Sequence, residues 1–581
     1  MILNKLSARR TTRLAATLLV AVSLASAADD AASSASPAAG SDTVQTSSQT
    51  DEIARLKAQL AAQQKQLETI ERMMEQQQRL LEKAVNTPAA QPGSVQVTPR
   101  PNLGSVASLT PVVPAPAAAP VAIPAVNRPA PQNTPAASGN PCEADQASGN
   151  AVPAYLRLGS TCIIPIGFMD LTGIWRNVNA ASGIGTNFAS IPYNNTPAGH
   201  NAEFRFSPQN SRIGFRVDGD WKGTHFIGYN EFDFLGTSGG FNLGITNGAF
   251  VPRLRLFWVD VTKDKWEFLA GQSWSMLTPN RKGISPLPGD IFYSQVMDVN
   301  YLIGLTWTRQ PGIRILYHPN QKLTLALAAE NPDQQIGGSA GAPVVTLPAS
   351  LTSLAGSQID NATNVLNTPN LIPDFIFKVA YDPSSRAHLE VAGLARYFKI
   401  WNPNTNQHSS SGGFGFTWGI NVELVKNLRV ISNGYWSDGG GRYLFGTIPD
   451  FILRADGGIS PIHAGGTTDG FEYTVKNTLL FVYYGGAYAG RNVAVDANGS
   501  LVGYGYRGSA NSNNRVMEEI TGGFNQTMWK SPRYGAINLI GQYEYAWREP
   551  WYLAIGNPKA AHDNAIYMDL RYTLPGGMPN F

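Results

Sequence analysis

Read back from its last residue, Phe581, the chain alternates: Ile566, Met568, Leu570, Tyr572 and Leu574 share one parity, Tyr567, Asp569, Arg571 and Thr573 the other. A period of two is the pattern of a β-strand with one apolar and one polar face. Similar alternation recurs along most of the chain, and no apolar run is long enough for a spanning helix. The pattern therefore predicts an all-β fold, a closed antiparallel transmembrane barrel whose outside meets lipid and whose inside meets water. In the stretch 535–548, Ile537, Leu539, Tyr543, Tyr545 and Trp547 take the lipid side, and Asn538, Gln542, Glu544 and Arg548 the inner side.

Beyond Ile164 the connections fall into two sizes that alternate. Seven are short, at 218–223, 262–265, 318–322, 382–386, 425–427, 475–477 and 530–534; eight are long, at 177–200, 236–249, 276–301, 331–371, 402–410, 437–469, 490–514 and 549–564. They join about sixteen strands, the even number that leaves both chain ends on the short-turn side. Tryptophans 175, 258, 266, 418, 436, 529 and 547 lie near strand ends and suit aromatic girdles at the two membrane surfaces.

The first 150 residues follow other rules. Residues 1–27 read as a secretory signal peptide, with Lys5, Arg9, Arg10 and Arg13 before an apolar core and small residues at the cut. Residues 28–50 are expected to be disordered. Over 51–85 a heptad appears, with Ile53, Leu56, Leu60, Leu67, Ile70, Met74, Leu81 and Ala84 at the a and d positions, which predicts a short coiled coil. Leu67 at a and Ile70 at d favour three helices over two, so a homotrimer is expected. Residues 86–150 are dominated by Pro, Ala and Val and predict a semi-rigid periplasmic linker. What the extension binds, peptidoglycan included, is left open. The barrel is expected over 151–581.

Composition narrows the class. With 58 Gly, 22 Tyr, 12 Trp and 15% charged residues, the chain suits one large antiparallel β unit better than several soluble α/β domains. Removing the signal leaves 40 basic against 41 acidic residues, which offers no footprint for nucleic acid. The two cysteines, Cys142 and Cys162, would meet in an oxidising compartment and are expected to pair. No metal, cofactor or enzyme activity is expected: the G-x-S-x-G match at Gly337, Ser339 and Gly341 and the G-x-G-x-x-G match at Gly503, Gly505 and Gly508 lack a strand-to-helix context, and the seven histidines are scattered.

Candidate chemistry lies in the bore. Arg212, Arg216, Arg253, Arg255, Arg314, Arg396, Arg429 and Arg571 fall at inward positions, where fixed guanidinium forks would attract carboxylates or phosphates. Glu231 and Asp233 fall on the same face and would either share that lining or neutralise part of it. The segment 276–301, carrying Arg281, Lys282 and Asp290, either folds inward as a constriction or stands outside in solvent.

Several stretches together resemble the DcaP-like outer-membrane porins of Gram-negative bacteria: a coil and Pro-rich spacer, Ser211-Arg212-Ile213-Gly214-Phe215, Glu231-Phe232-Asp233-Phe234, Arg253-Leu254-Arg255, Ala270-Gly271-Gln272-Ser273-Trp274-Ser275 and Leu570-Arg571-Tyr572. The resemblance runs from about Ile164 to the end and rests on the order of the motifs. It implies a sixteen-stranded trimeric porin in the outer membrane lipid, with an arginine-rich lumen at Arg212, Arg253 and Arg255 that passes small anionic, dicarboxylate-like solutes. Long insertions at 331–371 and 437–469 depart from the pattern. A sugar-specific porin, in which a coil also precedes the barrel, and an outer-membrane tether whose coil binds the cell wall are the alternatives.

Overall fold

A computed structural model of the chain describes residues 155–236, 250–291, 295–363 and 368–577. The expected signal peptide, coiled coil, linker and Cys142 lie outside the described residues, as does Phe581. Cys162 is disulfide-bonded.

Sixteen long strands follow one another: β1 (Thr161–Arg176), β2 (Arg212–Trp221), β3 (Thr224–Gly236), β4 (Val251–Lys263), β5 (Trp266–Trp274), β6 (Arg309–Asn320), β7 (Leu323–Glu330), β8 (Asp374–Ser384), β9 (Ala387–Asn402), β10 (Gln407–Val425), β11 (Leu428–Asp438), β12 (His463–Val475), β13 (Thr478–Ala489), β14 (Asn514–Ser531), β15 (Gly535–Pro550) and β16 (Ala561–Thr573). Each pairs antiparallel with its successor. Closure comes from β1, which takes β2 on one side, Thr161↔Gly219 to Phe168↔Arg212, and β16 on the other, Phe168↔Thr573 to Arg176↔Ala565. Among the described residues this closure leaves the barrel sheet without a free edge.

The outer face is apolar. On β16, Ile566, Met568 and Leu570 are exposed while Tyr567 and Asp569 between them are buried; on β15, Ile537 and Tyr543 point out while Gln542 and Glu544 point in. Trp175, Trp266, Trp418, Trp436 and Trp529 face outward.

Trp258 departs from its expected place in a girdle: it is buried inside, stacked on Tyr229 with ring centroids 5.1 Å apart. The reason is a bulge. Glu231 pairs with Leu256 and Phe232 with Leu254, so Arg255 is an extra residue that switches the parity of β4. Arg253 and Arg255 point in before the switch, Trp258 and Asp260 after it.

Two further expectations are corrected. The connection at 402–410 is short, because the polar run from Gln407 to Ser411 is already β10, in register with Asn402 to Phe398. Backbone pairing does not require apolar side chains where a strand stands beyond lipid. Nor is the inner face wet along its whole length: Leu316, Ala328, Ile376, Leu394 and Phe398 of the wall join a buried cluster with Met276, Leu277, Leu444, Ile448 and Phe451 of the long connections. Those connections fold into the barrel and take their own apolar cover with them.

Candidate functional site

The loop between β5 and β6, described over residues 275–291 and 295–308, crosses the bore. Its root is closed by the Ser275 amide donating to the Thr308 carbonyl at 2.8 Å. From there the chain reaches the opposite wall, where Lys378 of β8 donates to the Thr278 carbonyl at 2.9 Å and Glu390 of β9 accepts the Asn280 amide at 3.1 Å. Arg281 then pairs with Glu472 of β12 at 2.6 Å, and Asp382 of β8 accepts the Gly283 amide at 3.0 Å.

The return path is held as closely. Tyr483 of β13 accepts the Gln295 amide at 3.2 Å, Gln542 of β15 accepts that of Met297, and Glu519 of β14 accepts that of Ile303 at 3.3 Å. Asp298 receives the Tyr567 hydroxyl of β16 at 3.0 Å and the Thr186 amide at 2.8 Å. Burial raises the Asp298 carboxyl above the ordinary carboxylate range, against the pull of Arg176. Wall carboxylates, amides and hydroxyls thus take up backbone groups that an irregular segment would otherwise bury unpaired. The segment carrying Arg281, Lys282 and Asp290 lies inside the barrel.

Below this loop, on the side of the short turns, lies a cavity of about 1660 Å³. Its lining includes Asp264 and Lys265, Lys322, Asp382, Glu423 and Asn427, Lys476 and Asn477, and Lys530 from the turns and strand ends, with Arg281, Lys282 and Asp290 from the loop and Arg429 from β11. The charges are unequal in availability. Lys265, Lys282, Lys322, Lys476 and Lys530 are exposed. The lining carboxylates are mostly engaged: Glu472 with Arg281, Asp382 with His388 at 2.8 Å, and Glu267 with His318 at 2.9 Å. Asp290 is raised by burial, an effect that Ser285, Lys282 and Arg216 oppose. Asp264 is the exposed carboxylate of the lining.

The expected arginines turn to the inner side, but most are bound to partners. Arg216 grips Asp218 with two bonds of 2.7 Å, Arg253 grips Asp233 at 2.7 and 3.0 Å, and Arg571 meets Asp170 at 3.0 Å. Arg255 lies between Glu231 at 2.8 Å and Asp233 at 2.6 Å, and Arg212 is 3.6 Å from Glu231. Arg314 donates to Ser273 at 2.8 Å and to the Trp274 carbonyl. Arg396 pairs with Asp374 at 3.1 Å and with Asp450, on an infolded connection, at 2.8 Å. Of the eight, Arg429 borders the cavity and donates to the side-chain Oδ1 of Asn421 at 2.7 Å. The pairing of inward arginines with inward carboxylates is what same-face placement on neighbouring strands makes available.

Sequence reasoning singled out Lys282 but passed over the lysines of the short turns. Each short turn nevertheless carries a basic residue, Lys222, Lys265, Lys322, Arg386, Lys426, Lys476 and Lys530, all exposed. That repeat was legible as soon as the turns were placed.

Comparison with known proteins adds the fold. No family profile matches the chain, and no curated protein matches it. Among solved structures it is similar to the outer membrane channel DcaP of Acinetobacter baumannii, with a TM-score of 0.53 at 16% identity over 73% of this chain and all of that one. It also aligns with the anion-selective porin of Comamonas acidovorans (TM-score 0.40, 12% identity, 71% of this chain and 99% of that one) and with OprB of Pseudomonas putida (0.40, 9%, 70% and 94%). The chain shares its barrel fold with the DcaP channel.

Proposed function

We propose that this chain is a porin of the bacterial outer membrane, a passive channel for small hydrophilic solutes with a preference for anions such as dicarboxylates. The observation that carries this is the cavity under the inward loop, with five exposed lysines on its lining and one exposed carboxylate. Fixed cations at a water-filled mouth raise the local concentration of anions and lower that of cations. The arginines of the wall contribute where a guanidinium keeps a free edge, as the partly exposed side chain of Arg253 does. The coil at 51–85 would join three barrels, and the linker would let it stand away from the membrane in the periplasm, within reach of peptidoglycan.

Purified protein in a planar lipid bilayer tests the reading. In a salt gradient it should conduct in steps, with a reversal potential on the anion side, and liposomes containing it should swell faster in dicarboxylate than in a neutral sugar of similar size. Absence of conductance overturns the channel, and a cation-side reversal potential overturns the preference. Removing residues 51–141 should leave conductance intact, the opposite of what a tether requires.

A further inference from the structure

Cys162 is completely buried and lies on the inner face of β1, in one cluster with Ile164 and Ile166. It is disulfide-bonded, and the other cysteine of the chain is Cys142. A disulfide keeps its two Cα atoms about 5.5–6 Å apart, so residue 142 is held at the inner wall of the barrel. The downstream end is held as well. Leu156, Arg157 and Leu158 pair with β1, Arg157 opposite Cys162, and Tyr155 packs against the inner cluster that contains Cys162. The stretch 143–154 is therefore tied at both ends to one lip of the barrel, on the side of the short turns where Thr161 pairs with Gly219.

That lip borders the cavity under the inward loop. Cys162 pairs with Asp218 and Asp218 with Ile227, which lines the cavity, so the cysteine and the lining are two strands, about 10 Å, apart. Asp218 is gripped by Arg216, and Asp290 of the loop feels both Arg216 and Lys282, which puts this lysine on the side of the mouth where Cys162 stands. The charges are complementary. Residues 129–154 carry two charged side chains, Glu143 and Asp145, both acidic. The mouth offers the exposed Lys265, Lys282, Lys322, Lys476 and Lys530 against one exposed carboxylate, Asp264, and Arg157 is exposed on the side of β1 that Cys162 faces. Glu143 and Asp145 follow Cys142 by one and three residues, so their Cα atoms lie within ~4 and ~11 Å of its own even in an extended chain.

We propose that the segment 143–150, pinned through Cys142, docks in the lysine-lined mouth of its own barrel, with Glu143 and Asp145 as counter-ions of the lysines. A carboxylate on a short tether has an effective concentration of about millimolar, so the segment competes with free anions below that level. The disulfide sets this advantage. Without it Glu143 is tied to the barrel only through Tyr155, twelve residues on, and effective concentration falls steeply with tether length. The docking uses the lysines as fixed charges and not the passage of solute, so it holds whether or not the barrel conducts.

The test is zero-length carbodiimide cross-linking of the full-length protein in detergent, which joins a carboxyl to a touching lysine amine with loss of water, followed by peptide mapping. The parent protein should give cross-links from Glu143 or Asp145 to Lys282 or to another of the five lysines of the mouth. Reduction of the folded protein with a phosphine, and the double variant Cys142→Ser, Cys162→Ser, should each lower their yield at least fivefold. Absence of these cross-links from the parent overturns the docking, and a yield unchanged by reduction overturns the pinning. Thermal unfolding identifies a variant that has not folded. Should the cysteine variant be one, Glu143→Gln combined with Asp145→Asn, which keeps the disulfide, takes its place: acetylation of Lys282 should become at least threefold faster, and an unchanged rate overturns the docking. A parent protein that cross-links but does not conduct would refute the channel and leave the docking standing.

Discussion

Arg281 and Glu472 meet across the bore as a two-pronged pair, Nη2 to Oε1 at 2.6 Å and Nη1 to Oε2 at 2.9 Å. Arg281 rides on the inward loop and Glu472 stands on β12, where the Tyr483 hydroxyl also donates to it at 2.6 Å. The pair is mostly buried, so removing one partner leaves an uncompensated charge, a change that costs about 3–5 kcal/mol in dry sites and less where water can reach. Arg281→Ala should therefore loosen the loop. Single-channel recordings are expected to show larger and noisier openings, and Arg281→Gln combined with Glu472→Gln should fall nearer to the parent protein than Arg281→Ala alone.

Gly304 is the second fixed point of that loop. It lies in the left-handed region, at φ +85°, and a Cβ there would run into the carbonyl oxygens of Gly486 and Thr467 on the wall. The wall is hollowed to match, since a Cβ on Gly466 would lie 2.6 Å from the Gly304 carbonyl oxygen. Gly304→Val combines backbone strain of about 1–3 kcal/mol with that collision. Lower thermal stability and loss of protection of 300–306 in hydrogen exchange are expected; a variant as stable and as protected as the parent would show that the loop does not rest on this wall.

The barrel was legible because its outer face obeys one simple rule. Ile566, Met568 and Leu570 share that face, so alternation is clean from Ala565 to Leu570 of β16. The inner face has no such single solvent. Leu316 and Ile376 meet infolded loops, Asp260 meets the cavity, and Arg396 meets Asp450 from a connection far along the chain, so no local pattern tells them apart. Trp258 was misplaced because one extra residue at Arg255 reverses parity, and a bulge leaves no mark in hydrophobicity. The arginines could be assigned to the bore but not to their partners, which come from other strands. The ring of basic turns was present in the sequence and needed only the turns to be read together.

The lipid-facing assignment makes its own prediction at Val391. It lies within β9, exposed on the outer face and paired with Val379 and Trp418 on the neighbouring strands. Val391→Arg should destabilise the folded barrel by about 2–4 kcal/mol if the position is near the bilayer midplane, measured by urea titration in lipid vesicles. Val391→Thr should cost far less. Equal tolerance of both would mean that this face does not meet hydrocarbon.

The connection between β7 and β8 carries a pH dependence. Burial raises the Asp333 carboxyl to about 7; Arg442 pulls it down, and the nearby Asp360 and Asp450 push it further up. Its backbone carbonyl accepts from Arg396, so the group belongs to the packing of the infolded connections onto β9. A carboxyl whose folded value lies above its unfolded value near 4 favours the folded state while protonated, and that contribution is full below pH 4 and lost as pH rises through 7. Hydrogen exchange in residues 331–363 should accordingly be better protected at pH 5.5 than at pH 8, after correction for the intrinsic exchange rate. Asp333→Asn, which stays neutral at both, should abolish the difference, and a difference that persists in this variant would place the titrating group elsewhere.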